Sequence, residues 1–461
     1  MKSSTSENII EQISATLDRL HSLTILRKVL HDSLAATMLT LLQELAASEA
    51  DATIVANAYS RLFNELAQAS NSDVCIRGIP DAWQAYLISR IVDDTNPLST
   101  QAEHVGAARI APNIYTQARH DLLVLQSLCA LTAQLIWETV RQKVASSLPA
   151  LYDAWVPWEN LAPSTQDTTG LTARDRMGQR MAAGDDWSTL VDDLVAYWSR
   201  HGTGLFARYH VLRWQGGTPG LQGIAYPDPI RLDGLIGYER EHTIIKRNTE
   251  HFLQGIPAHD AVLYGAPGTG KSSTVKALAN AYADRGLRLV EVRKDMVNDL
   301  PAIVAQLRGR APRFLLFIDD LSFEDHETEY KALKVLLEGA VEARPHNILI
   351  YVTSNRLNLI RENFSDRGKP ADDVHWRDTM EEKNSLVARF GLRVTFALPS
   401  QERYLKIATE LARQRGIAMP DDDIRARALD WERQHSGRSG RLARQFVDEL
   451  EAMWKSEGNM F

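Results

Sequence analysis

Gly265-Ala266-Pro267-Gly268-Thr269-Gly270-Lys271-Ser272 fits the pattern G-x-x-x-x-G-K-[ST] at every fixed position. This segment constrains the fold more than any other in the chain. Glycines let the backbone take turn conformations closed to other residues, so that successive N–H groups point into one concavity. A helix starting near Lys271 adds the positive end of its dipole, which suits a phosphate. Such a loop needs a strand to deliver it and a helix to receive it. The apolar run Ala261–Tyr264 and the helical stretch Val275–Tyr282 supply both. In this arrangement Lys271 reaches the β- and γ-phosphates of a nucleoside triphosphate, and the Ser272 hydroxyl ligates magnesium, with Ser273 following in the first helical turn. ATP and Mg2+ are therefore the expected ligands.

About fifty residues on, Phe314-Leu315-Leu316-Phe317-Ile318 is an apolar strand that ends in Asp319-Asp320. This is the Walker B arrangement: Asp319 is expected to hold the magnesium ion, and Asp320 to orient or deprotonate an attacking water. Further strands are expected at Leu287–Val292, Ile348–Val352 and Leu392–Phe396. Short apolar strands alternating with helices argue for a five-stranded parallel sheet covered by helices on both faces. Beyond Pro399 the pattern turns helical, as a small lid would.

The first half reads differently. Leu17, Leu20, Leu23, Leu26, Leu30 and Leu34 recur at helical spacing, and Ile114 to Val144 reads as one long helix. Seven of the ten tryptophans lie before Gln215, and the sequence offers them a packing role. Loop formers at 162–170, a Gly-rich stretch at 215–220 and Pro227-Asp228-Pro229 mark boundaries. The expected organisation is a mainly helical region over 1–226, a nucleotide-binding core over 227–399 and a helical lid over 400–461. A chain of 461 residues is long enough for two or three such domains.

Bulk properties exclude little. The net charge of −7 gives no global basic field for nucleic acid. Cys75 and Cys129 lack metal-ligand spacing and read as free thiols. No apolar run approaches the roughly 20 residues of a membrane span, and no signal peptide opens the chain, so a cytoplasmic protein without membrane contact is expected.

Several segments carry a resemblance to the AAA+ superfamily of P-loop ATPases, and more closely to the bacterial ATP-binding family called domain of unknown function 815. They are Leu232-Asp233-Gly234-Leu235-Ile236-Gly237-Tyr238-Glu239, the P-loop, Asp319-Asp320-Leu321-Ser322-Phe323-Glu324, Tyr351-Val352-Thr353-Ser354-Asn355-Arg356, and Glu381 to Leu392. The resemblance implies an α/β AAA+ core with a helical lid, preceded here by the helical first half, which no motif covers. It implies that Leu235, Ile236 and Gly237 pack on adenine and that Asn355 is the sensor 1 amide. Arg389 resembles an arginine finger, with Arg367 as its competitor and a structural ion pair with Glu381 or Glu382 as the other reading of Arg389. Arg441 is similar to a sensor 2 arginine, with Arg438 one turn away. Arginine suits both tasks because its planar fork donates several hydrogen bonds and keeps its charge. In one departure, the second Walker B acid is Asp320 where most superfamily members carry glutamate, and Glu324 is an alternative base.

The resemblance further implies a homo-oligomer that hydrolyses ATP to remodel a protein client. Two other readings stand beside it: an ATP-dependent switch or scaffold with little turnover, and a helicase-loader-like nucleic-acid protein. The second is disfavoured by the lid, where Lys/Arg and Asp/Glu balance at eleven each from Ser400 onward. Lys294-Asp295-Met296 stands where an unfoldase would carry an aromatic pore loop, which disfavours polypeptide threading.

Overall fold

The computed structural model describes residues 2–105, 109–145, 147–151, 153–161, 170–218, 220–322, 330–338, 345–355, 386–435 and 437–458. Glu324, Arg367, Glu381 and Glu382 lie outside these residues. The chain divides into two compact units, Met1–Arg208 and Tyr209–Phe461.

The first unit is helical. Its core gathers Leu41, Val55, Tyr59, Ile88, Leu125 and Ile136 with Trp83, Trp158 and Trp198, all fully buried. Tyr59 packs against both Trp155 and Trp158, so the tryptophans on either side of Pro157 do pack. Cys75 and Cys129 are free thiols. Two expectations need correction. The leucine stripe from Leu17 to Leu34 is not one helix: a helix ends at Leu20 and the next starts at Ser33. The buried carboxylate of Asp121 accepts the Thr24 and Leu26 backbone N–H groups at 3.1 and 2.9 Å, stabilising the turn between them. Ile114 to Val144 is likewise two helices, Pro112–Cys129 and Ala133–Ala145, bent by 53°. Asp81 accepts the Ala133 N–H at 2.6 Å, so a carboxylate from elsewhere in the unit satisfies the start of the second helix. No single described helix is long and apolar enough to cross a membrane.

The second unit is built on a seven-stranded sheet: β1 (Val211–Trp214), β2 (Leu221–Gly223), β3 (Ala261–Gly265), β4 (Leu287–Glu291), β5 (Arg313–Ile318), β6 (Ile348–Ser354) and β7 (Leu392–Phe396). Their order is β2-β1-β4-β5-β6-β3-β7. The five expected strands are present and parallel, but the sheet has two more. Strand β1 pairs in parallel with β4, and β2 returns antiparallel to β1. Both come from the stretch before residue 227, where the Gly-rich segment makes the hairpin between them.

Buried strands such as β5 and β6 are continuous apolar runs because helices cover both sheet faces. Parallel strands end together, so the carboxyl ends of β5, β6 and β3 lie side by side along one sheet edge. Those ends carry Asp319, Asn355 and the P-loop respectively. Three helices follow β7: Gln401–Gln414, capped by the Ser400 hydroxyl, then Asp421–Gln434 and Gly440–Gly458. They form the lid, whose Leu442, Phe446 and Val447 join the same core as the sheet. The observed class is α/β: a seven-stranded, mostly parallel sheet that carries the P-loop and is followed by three helices, after a mainly helical first half.

Candidate functional site

The P-loop leaves β3 at Gly265, whose φ of 140° suits glycine alone. A side chain there would also put its Cβ 2.0 Å from the Phe396 carbonyl oxygen of β7. The loop then passes Gly268 at φ 75° and enters the helix Lys271–Tyr282. Gly268 meets the lid: its carbonyl accepts the Arg441 N–H at 3.1 Å, and a Cβ would lie 3.1 Å from that of Arg441.

Lys271 is buried. Its ammonium donates to the carbonyls of Gly265 and Ala266, both at 2.9 Å, and to Asn355 Oδ1 at 3.0 Å. Burial holds its pKa below the ordinary lysine value; Asp320 and Asp319 oppose that shift, and the Arg441 charge adds to it.

The acids are tied to the same network. Ser272 Oγ donates to Asp319 Oδ1 at 2.6 Å, and Thr353 Oγ1 donates to that oxygen at 2.5 Å. Asp320 has a φ of 49°, a left-handed conformation that aspartate tolerates better than most side chains. Its N–H donates to Thr353 Oγ1 at 2.8 Å, and its Oδ1 accepts from Asn355 Nδ2 at 2.7 Å. The Asn355 amide thus uses both ends, its oxygen on the P-loop cation and its nitrogen on the second acid.

A cleft of about 540 Å³ opens over this network, within the range of small-molecule sites. Its polar lining includes Thr269, Lys271, Ser272, Ser273, Asp319, Asp320 and Asn355, with the Pro267, Gly268 and Gly270 backbone. Leu235 and Ile236 supply apolar lining with Ile407 and Leu411 of the lid. Gly237 stands behind them against Ile407. Gly265 and Ala266 contribute the carbonyls that hold Lys271 rather than lining. Arg441 borders the cleft, whereas Arg438 is drawn into an ion pair with Glu432 at 2.5 Å. Arg389 is half-buried in the turn before β7 and is not among the lining residues.

Other lining residues were not singled out from the sequence: Thr353, Lys276, Arg444, Tyr238 and His242. Periodicity held a signal for three of them. Lys276 lies four residues after Ser272 and Arg444 three after Arg441, so each shares a helix face with a predicted residue. Thr353 lies two before Asn355, the residue that follows β6, so the period-2 spacing places both on one side of the chain there. Burial holds His242 below the ordinary histidine pKa, which favours the neutral ring.

The donor chemistry fits magnesium. A hydroxyl and a carboxylate 2.6 Å apart are hard oxygen ligands, of the kind this ion binds together with water.

A family model described as "Protein of unknown function (DUF815)" matches residues 207–454, more than half of the chain. The chain belongs to this family. The DUF815 match takes in every strand of the sheet and the lid helices up to residue 454, and so the entire cleft. Among curated relatives, the 26S proteasome regulatory subunit 4 homolog of Schizosaccharomyces pombe is 31% identical over 134 residues, 24% of this chain and 30% of that protein. The signal recognition particle 54 kDa protein of Archaeoglobus fulgidus is 27% identical over 148 residues, 30% of this chain and 33% of that protein. The chain therefore spans about a third of each relative's length. Among solved structures, the Thermotoga maritima RuvB Holliday junction branch migration motor aligns at 16% identity with a TM-score of 0.36, over 50% of this chain and 67% of that one. This DUF815 protein joins a P-loop, an acid-tipped strand and C-terminal helices in one cleft.

Proposed function

We propose that this protein binds ATP with magnesium and hydrolyses it, working as an oligomer that remodels a protein client. One observation carries the reading: the Asn355 amide joins the P-loop cation Lys271 to the acid Asp320. An asparagine so placed has contacts on both sides of the point where a terminal phosphate and an attacking water would meet.

Each residue has a task in this reaction. Lys271 supplies charge to the β- and γ-phosphates, and its depressed pKa reflects a burial cost that the phosphates would offset. Ser272 and Asp319 would hold magnesium, which when bound neutralises phosphate charge. Asp320 takes the proton of the attacking water, with Asn355 fixing its carboxylate. Leu235, Ile236, Ile407 and Leu411 offer the apolar surface that an adenine ring requires. Arg441 approaches the phosphates from the lid. The loose transition state needs little covalent help, so positioning and charge supply most of the rate.

The test is titration with a fluorescent ATP analogue. Lys271→Ala should weaken affinity at least about tenfold, the loss of a hydrogen bond to a charged group worth ~1.5–3 kcal/mol. Unchanged affinity would overturn the reading.

A further inference from the structure

We propose that Thr353 is a positioning residue: its hydroxyl and carbonyl divide the neighbouring carboxylates Asp319 and Asp320 between the metal and the water. The inference rests on the ATP-hydrolysis reading above.

Thr353 bonds three successive residues of the acid loop. Its hydroxyl donates to Asp319 Oδ1 at 2.5 Å, the same hydroxyl accepts the Asp320 N–H at 2.8 Å, and its carbonyl accepts the Leu321 N–H at 2.8 Å. The direction of each bond is fixed by chemistry. A backbone N–H can only donate, so the threonine oxygen accepts from Asp320, and its one proton goes to Asp319. Thr353 is buried, in register with Leu263 of β3 and one position beyond the Val352–Ile318 pair with β5.

Adjacent residues of an extended strand point to opposite faces. Here both carboxylates border one cleft, because the chain turns through the left-handed region at Asp320. That conformation costs energy and persists only where its surroundings determine it. The paired acceptors of Thr353 do so, since they receive the two N–H groups that the turn brings round. The result is a split: Asp319 faces Ser272, and Asp320 faces Asn355.

Thr353→Val keeps the shape and removes the oxygen; Thr353→Ser keeps the oxygen and removes the methyl. At saturating magnesium, the valine variant should lose about 10- to 100-fold in kcat with KM for ATP nearly unchanged, the expected loss for hydrogen bonds to charged groups. The serine variant should stay near wild type. In a second measurement that needs no turnover, the magnesium concentration that half-maximally tightens binding of a non-hydrolysable ATP analogue should be the same in wild type and Thr353→Ser, and several-fold higher in Thr353→Val, with binding at saturating magnesium preserved. Thermal melts report folding; if the valine chain does not fold, Thr353→Cys, a weak donor, replaces it with the same expectation. A valine variant with wild-type kcat and wild-type magnesium dependence overturns the proposal, as does a serine variant as impaired as valine. A wild type that binds the analogue without turnover overturns the hydrolysis reading instead, and the magnesium titration then decides the role of Thr353.

Discussion

Asp320 is where the fold accepts backbone strain in exchange for an aimed carboxylate. Its φ of 49° disfavours most side chains, and its Oδ1 accepts from the amide donor Asn355 Nδ2 at 2.7 Å. Asparagine is the substitution that tests chemistry apart from shape. It tolerates the left-handed region, and its oxygen still accepts from Asn355, but it cannot take up a proton. Asp320→Asn should therefore bind ATP with near-wild-type affinity and lose about 10²–10⁴ in turnover, the range for a general base. Single-turnover hydrolysis beside an equilibrium binding titration checks this. Hydrolysis at the wild-type rate together with a dead Glu324→Gln variant would pass the base role to Glu324, and two active variants would refute the acid pair's role in turnover. The shorter acid is compatible with the geometry: the turn after β5, rather than an extra methylene, carries the carboxylate to Asn355.

At the scale of elements, the lid helix Gly440–Gly458 brings its first turn onto the P-loop. The Ser439 hydroxyl accepts the Leu442 N–H at 3.0 Å and caps this helix, while the Arg441 N–H reaches Gly268. Because that last contact is made by backbone, Arg441→Ala removes the guanidinium and leaves the helix in place. It should weaken ATP binding by about tenfold, a charge-assisted contact's worth, without a large change in melting temperature. Arg438→Ala should do the reverse, since its partner is Glu432. The cost of that partly exposed pair is about 0.2–1 kcal/mol of stability, with ATP affinity unchanged. Parallel calorimetric melts and binding titrations would separate them, and equal losses of affinity in both variants would contradict the assignment. What the sequence revealed about these elements follows from how much apolar signal each carries. Strands β3, β5 and β6 are largely apolar runs, β4 and β7 mix apolar and charged residues, and all five were legible to within two residues. Strands β1 and β2 are four and three residues long, and their register is visible only against β4 and each other. The helix break before Ala133 was hidden because its cause, Asp81, lies 52 residues away. For Thr353 the spacing from Asn355 signals its place in the cleft, but its role was hidden, because that depends on three contacts with the residues that follow β5.

At the scale of the whole molecule, the two units each have a separate hydrophobic core, and the cleft over the P-loop belongs entirely to the second. That cleft holds the cations Lys271, Lys276, Arg441 and Arg444 from its own chain, but not Arg389. Arg389 is half-buried in a turn whose N–H returns to the Leu386 carbonyl, immediately ahead of β7. On the resemblance to an arginine finger, we propose that Arg389 serves the phosphate site of a neighbouring subunit in an oligomer. Arg389→Ala should then bind ATP normally and turn it over about 10³–10⁵-fold more slowly, the effect of a finger in other phosphoryl-transfer enzymes. Mixing it with Lys271→Ala subunits should restore part of the activity. In such a mixture an intact P-loop from one chain meets an intact Arg389 from another, although neither variant alone can complete a site. Specific activity of the wild type should also rise with protein concentration through the range of assembly, measured beside sedimentation velocity. A monomeric wild type with a concentration-independent rate would refute action between subunits, leave Arg389 as a structural ion-pair residue, and move the reading of an ATP-dependent switch ahead.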